Sequence, residues 1–268
     1  MAIDPSAEIH ASAIVDDGAV IGPGCYIGPF SMVGPEVTLG ANVTLKSHAI
    51  VTGWTDIGEG TEIFPFTSIG EIPQDKKFGG ERTRLIVGKR NRIREGVTMN
   101  TGTEGGGGVT QVGDDGLFLA NSHVAHDCHV GDRVVMVNCS ALAGHCIVGD
   151  DVIIGGLSGV LQRVRIGSGV IIGAVTMVTN DVIPYGLVQG PRGRLDGLNL
   201  VGLKRRGVAK SDITALRAAL QALKQGEGNS FQDRARRLAD NEDIDSDYVR
   251  DIVDFVLGDS DRSFLTPE

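Results

Sequence analysis

Aromatic side chains are scarce: one Trp, three Tyr and eight Phe among 268 residues, 4% in all. A core built mainly on stacked rings is therefore excluded, and Val, Ile and Leu must supply the buried surface. Basic charge is in deficit, with a formal net charge of −9 and a pI near 5.2, so attraction of the whole chain to nucleic acid or to an anionic membrane is not expected. No run of eighteen apolar residues occurs, so no membrane-spanning helix is expected. The first ten residues, MAIDPSAEIH, have neither a basic segment nor an apolar centre, so no signal peptide is expected and a cytoplasmic location follows. The four cysteines, Cys25, Cys128, Cys139 and Cys146, form no C-x-x-C pair and read as reduced small hydrophobes.

What is abundant is glycine, 39 residues, and an apolar beat of six. Starting at Ile3, every sixth residue to Ile69 is aliphatic. The beat returns at Val87, Ile93 and Met99, then runs without a gap from Val112 to Val178. Glycine often follows it, as at Gly22, Gly28, Gly34 and Gly40, where it is expected to ease a corner. A period of six suits neither an α-helix nor simple strand alternation. It suits a coil of three short sides, eighteen residues per turn, with the repeated residue pointing inward. Twenty-seven such positions imply about nine coils of a parallel β-helix.

Two segments leave the beat. Residues 71–86 carry charge and a Gly pair and read as an excursion loop; residues 100–111 contain TEGGGGVT and read as a smaller, flexible insertion. After Val178 comes a Pro/Gly-rich exit. A helix is then expected from Ser211 as N-cap, with Ile213, Leu216, Leu220 and Leu223 on one face, followed by a break at QGEG and helices over 230–241 and 246–258. The expected division is a β-helix over 1–190 and a helical domain over 191–268.

The stretch NSHVAHDCHV, residues 121–130, concentrates three of the six histidines. Residues eighteen apart should stack at about 4.8 Å. His126 then lies below Gly144, with Gln162 above that, and Asp127 lies below His145. His123 and His129 each precede a beat, at equivalent corners one side apart, so His123, His126 and His129 should not converge on one metal ion within a chain. His126 is offset from the beat and should face outward. An imidazole beside a carboxylate, under a glycine, has the parts of a general base, its orienting acid and a backbone N–H donor. His129, like His10 and His48, reads as a solvated or stacked corner residue. The run Lys204-Arg205-Arg206, near Arg192 and Arg194, could grip a phosphate or an acidic partner, and Lys76 and Lys77 offer similar chemistry.

The ordered set IGEIPQDKKFGGERT (69–83), RNRIREGVT (90–98), HVAHDCHVG (123–131), LAGH (142–145), QG (189–190) and GLKRRG (202–207) is specific. On it, essentially the whole chain resembles the UDP-N-acetylglucosamine O-acyltransferases, which use acyl carrier protein as donor in the first step of lipid A synthesis. The resemblance implies a left-handed β-helix, a homotrimer with sites between subunits, and no metal and no cofactor beyond the donor's phosphopantetheine thioester. It implies His126 as general base toward the sugar 3-hydroxyl, Asp127 as its support and Gly144 N–H as oxyanion donor. Asp75, Lys77, His123, His145 and Gln162 match positions that hold the sugar nucleotide, Asn199 and Arg206 positions near the nucleotide, and Arg205 one near the pantetheine. Ile171, Ala174 and Arg192 match positions that cap the acyl groove, and Ala174 in place of glycine implies a medium 3-hydroxyacyl chain. The chain departs from the family at Met99-Asn100-Thr101-Gly102, at Leu161 and at Val201. Asn100, close to the acceptor, raises the alternative of a 3-amino sugar. A trimeric zinc enzyme of carbonic-anhydrase type, with His123, His126 and His129 as ligands, and a non-catalytic scaffold are the competing classes.

Overall fold

The structure, a computed structural model, describes residues 2–225, 230–241 and 246–267. The chain winds into a left-handed parallel β-helix. Among the described residues, short strands stack into three sheets of nine, eleven and nine strands, and through the coil, up to Val178, every third strand pairs in parallel. Ala2 pairs with Val20, His123 with Ala141 and Ile153 with Ile171, so the eighteen-residue step holds where the coil is uninterrupted. The beat residues point inward and are buried from Ile21 to Val178. Each such side chain withdrawn from water contributes roughly 1.5–3 kcal/mol, which a scarcity of aromatics does not diminish. In the first coil Ile3, Ile9 and Val15 are only half-buried, with no coil of the described residues beneath them.

The corner is not where the glycines predict. Left-handed backbone falls three residues after most beats, as at Asp127 (φ 58°), Cys139 (φ 59°), His145 (φ 62°) and Arg163 (φ 63°). Such residues cost about 1–2 kcal/mol each. Hydrogen bonds between corners of successive coils offset this: His145 N–H donates to His126 O at 3.0 Å and Arg163 N–H to Gly144 O at 3.1 Å. The glycine after the beat serves close approach instead, since a Cβ on Gly22 would meet the Gly40 carbonyl carbon at 2.8 Å. His123 and His129 are strand residues on two different sheets rather than corner residues.

The excursions leave after strands Ser68–Glu71 and Thr98–Asn100 and re-enter at strands Arg84–Val87 and Val109–Val112. The second is not a loose insertion: it contains a 3-10 turn at Glu104–Gly106 and packs on Asp127. The exit after Val178 is also more regular than its composition suggests. Strand Gly186–Gln189 adds a further partner to the coil and turns back as an antiparallel hairpin with Arg194–Leu198. A short helix, α1 (Leu200–Arg205), follows, capped by Asn199. Helix α2 (Lys210–Gln225) begins before Ser211, which therefore lies inside the helix and is not its cap. Ser230 caps α3 (Phe231–Ala239) through Asp233 N–H, and α4 is Asp247–Leu257. The expected break at QGEG lies, apart from Gln225, outside the described residues. No helix of the described residues is long and apolar enough to cross a membrane. Cys25, Cys128 and Cys146 are buried free thiols, and burial pushes the Cys128 thiol up; Cys139, at a corner, is exposed and is not a core hydrophobe.

Candidate active site

His126 follows the strand His123–Val124, where the chain leaves the sheet to turn the corner at Asp127. It points away from the prism but not into solvent: His126 is 4% exposed and Asp127 3%. The excursions cover them, which the periodicity could not foretell. Asp127 is held from several sides. Its Oδ1 accepts from Thr103 N–H at 2.7 Å, its Oδ2 accepts from the Thr103 hydroxyl at 2.6 Å, and Oδ2 lies 2.8 Å from His126 Nδ1. Its own N–H donates to Thr110 Oγ1 at 2.7 Å. A carboxylate only accepts, so Asp127 fixes a proton on Nδ1 and leaves Nε2 as the basic nitrogen. Nε2 faces Asp75 Oδ2 at 4.0 Å.

Gly144 lies directly over this ring. A Cβ there would sit 2.4 Å from Cε1, 2.6 Å from Nε2 and 3.0 Å from Nδ1 of His126, so the imidazole occupies the space that a side chain would fill. Among the described residues the Gly144 N–H has no hydrogen-bond partner. A donor with no partner beside a basic nitrogen can serve a developing oxyanion. His145 meets His126 edge-on with centroids 5.0 Å apart, and its Nδ1 is 3.6 Å from Asp127 Oδ2. Burial holds the His145 pKa below its ordinary value despite Asp127, and the Arg163 and His126 charges add to that. His123 is also held low, by burial first, and its Nδ1 lies 2.7 Å from the Thr98 hydroxyl. Both shifts favour the neutral imidazole, which can donate one hydrogen bond and accept another.

Asp75 and Lys77, on the first excursion, line a cleft of about 440 Å³ with His145 and Arg163. Within that loop Asp75 Oδ1 accepts from Lys77 N–H at 3.0 Å. A second, more apolar groove of about 380 Å³ runs past His123, His126, Gly144 and Gln162. Its floor follows the ladder of strand partners above His123, namely Ala141, Gly159 and then Met177. Sequence reasoning overlooked Gly159 and Met177, although the eighteen-residue step from His123 leads to both. Asn100 borders the same groove and is 3% exposed. Its amide N–H donates to Ile72 O at 3.1 Å, while its Oδ1 is buried with no partner among the described residues.

Other expected residues lie elsewhere. Asn199 has its side chain engaged within the chain, accepting from Gly202 N–H and donating to Gly169 O, each at 2.9 Å. Arg206 caps α1 with its guanidinium against Gly169, and Arg205 is exposed in the last turn of that helix. Ile171 is half-buried in another sheet, while Ala174 and Arg192 are exposed, Arg192 bridging to Met177. None of these six lines the two cavities around His126. His129 is exposed on its own sheet, apart from His123. The convergence that spacing excludes for the three histidines does occur for another trio: His126, Asp127 and His145 bring potential ligand atoms within 4.8 Å of one another. In this structure His126 Nδ1 and Thr103 already engage both oxygens of Asp127.

These features have close counterparts in known proteins. Residues 18–53 match the bacterial transferase hexapeptide family, six repeats, and residues 181–265 match UDP N-acetylglucosamine O-acyltransferase, domain 2. The acyl-[acyl-carrier-protein]–UDP-N-acetylglucosamine O-acyltransferase of Paracoccus denitrificans is 65% identical over 205 residues, 76% of this chain and 77% of its own length. The chain belongs to the UDP-N-acetylglucosamine O-acyltransferase family. The enzyme of that name from Rhizobium etli is 51% identical to this acyltransferase over 265 residues, 99% of this chain and 97% of the other. A crystal structure of a UDP-N-acetylglucosamine acyltransferase superposes with a TM-score of 0.93 at 37% identity, covering 97% of this chain and 99% of that one. The acyltransferase from Campylobacter jejuni gives 0.90 at 32% identity, covering 97% and 100%. This acyltransferase thus shares its whole architecture with its relatives, helices included.

Proposed function

We propose that the chain moves a 3-hydroxyacyl group from the phosphopantetheine thioester of acyl carrier protein to the 3-hydroxyl of UDP-N-acetylglucosamine, the first step of lipid A synthesis. The observation that carries this reading is the basic Nε2 of His126, oriented by Asp127 and lying beneath the unpartnered Gly144 N–H. Nε2 takes the hydroxyl proton as the sugar oxygen attacks the thioester carbon. The Gly144 N–H stabilises the tetrahedral oxyanion. On collapse the carbon–sulfur bond breaks, and the imidazolium returns its proton to the departing thiolate. Asp75, Lys77, His123, His145 and Gln162 line the cavities where the sugar would lie. No further cofactor and no metal enters this scheme. The enzyme works as a cytoplasmic homotrimer, in which the exposed Arg205 and Arg206 reach the site of a neighbouring subunit and Asn199 holds the turn that presents them. Their distance from the His126 cavities of their own chain supports that arrangement. The basic α1 end suits an acidic carrier protein.

The acyl chain would occupy the groove over Ala141 and Gly159, closed by Met177; Ile171, Ala174 and Arg192 do not line that groove and could limit chain length only beyond it. Gly159→Leu is expected to fill it: turnover with medium 3-hydroxyacyl donors should fall about 10-fold or more, with shorter donors affected less, read from steady-state rates over a donor-length series.

Asn100 favours a second reading, transfer to the 3-amino group of a diamino sugar. Among the described residues its buried Oδ1 has no donor; a hydroxyl could supply one, but an amine keeps a second N–H for this contact while the other faces the base. Turnover of both UDP-sugars with carriers of varied acyl length tests the two together. Clear preference for the hydroxyl sugar sinks the amino reading; no transfer to either sinks both.

A further inference from the structure

Arg163 stands at the corner one coil above His145, its N–H bonded to Gly144 O at 3.1 Å. It borders two clefts that both include His145: the one holding Asp75 and Lys77, and one of about 360 Å³ that extends toward His129 and Arg165. Its side chain is half-exposed and its ion-pair partner is Asp261, at 3.0 Å and 66% exposed. An ion pair this open to water contributes little to stability.

Nor does the C-terminal segment need that pair to stay in place. Ser260 Oγ donates to the buried Asp181 at 2.6 Å, Asp181 N–H donates to Ser263 O at 2.9 Å, and Arg262 Nε donates to Gln162 O at 3.1 Å. Asp261 is therefore a carboxylate delivered to Arg163 by a segment anchored through other residues. A phosphate carries more charge than a carboxylate and accepts a guanidinium fork through two oxygens. Lys77, on the same cleft, offers a second cation.

We infer that Arg163 is a phosphate-binding residue of the cleft and that Asp261 is an intramolecular stand-in, displaced when a phosphate ester or diphosphate enters. This rests on the proposed substrates, both of which carry such a group: the diphosphate of the sugar nucleotide and the phosphodiester of the carrier's pantetheine. Arg163 binds one of them and Asp261 competes for the same guanidinium.

The experiment is titration calorimetry of the full chain with UDP and, separately, with 4′-phosphopantetheine, for wild type, Arg163→Ala, Arg163→Lys and Asp261→Asn. Arg163→Ala is expected to weaken one of the two ligands about 10-fold or more, with Arg163→Lys between it and wild type. Asp261→Asn should tighten the same ligand about 2-fold or more, because it removes the competitor. The ligand affected identifies the source of the phosphate. Unchanged affinity for both ligands in Arg163→Ala overturns the inference, as does wild type binding neither. It is equally overturned if Asp261→Asn weakens the ligand that Arg163→Ala weakens, since the pair would then be a structural strap. Because titration needs no turnover, absence of acyl transfer alongside normal binding would count against the proposed reaction only.

Discussion

Replacing His126 with alanine should lower kcat by about 10²-fold or more while the melting temperature barely moves. The loss follows from geometry: Nε2 is the basic nitrogen facing the cleft, 4.0 Å from Asp75, and the nearest other imidazole, His145, stands edge-on to this ring and not in its place. The fold should survive because the prism is held by beat residues beneath and above, to which His126 does not belong. Asp127 would keep both Thr103 bonds. His129→Ala is the companion measurement, expected to leave kcat unchanged because that ring is exposed on another sheet. Equal turnover of His126→Ala and wild type would mean that this imidazole is not the base. A metal held by His126, Asp127 and His145 would also be damaged by the substitution, so activity before and after exhaustive chelation must accompany it. Full activity in the metal-free protein leaves the general base, whereas activity restored only by zinc overturns it.

Gly144→Ala carries the second large effect, about 10²-fold in kcat, the scale of a lost oxyanion donor. One methyl group is all that is added. It would overlap the His126 ring at 2.4 Å and 2.6 Å, distances that no real Cβ contact shows, so the imidazole must swing off its line to Asp127 or the coil must part. The backbone is not the obstacle, for Gly144 is not among the glycines with positive φ. Gly156→Ala is the control. Its added Cβ meets nothing closer than 3.3 Å, and kcat should stay within about 2-fold of wild type. If Gly144→Ala turned over normally, the stacking of ring on glycine would have no catalytic meaning.

The step of eighteen residues made much of this site legible from sequence. It placed Gly144 over His126 and His145 over Asp127, and both contacts are present. It also separated His129 from His123. What it missed is aperiodic. The burial of His126 and the clamp from Thr103 come from the excursions, whose course no repeat dictates. The corner was misread because glycine after the beat signals close approach between coils, while the left-handed turn falls later on residues as large as Leu157 and Arg163. The hairpin and α1 hid in a Pro/Gly-rich stretch where turn residues outweigh any pattern. Ser211 resembled a cap, yet the helix gains its start from Lys210, with Ile213 N–H bonded to Ala209 O at 3.1 Å.

The strand register has a consequence for how such a chain can change length. Trp54 pairs with Arg84 and Arg84 with Val109, offsets of 30 and 25 residues where the plain coil needs eighteen. The surplus is twelve and seven, and seven is not a multiple of six. Material spliced in at these exits is therefore free of the repeat, because the chain leaves from one sheet and rejoins the next in the register the coil requires, whatever the length between. Between Asp127 and Gly144 no such freedom exists. Deleting one residue there would slide every later rung past its partner and carry the oxyanion donor away from the base. Insertions and deletions should thus gather at the excursions, or arrive as whole turns, leaving the reacting column intact.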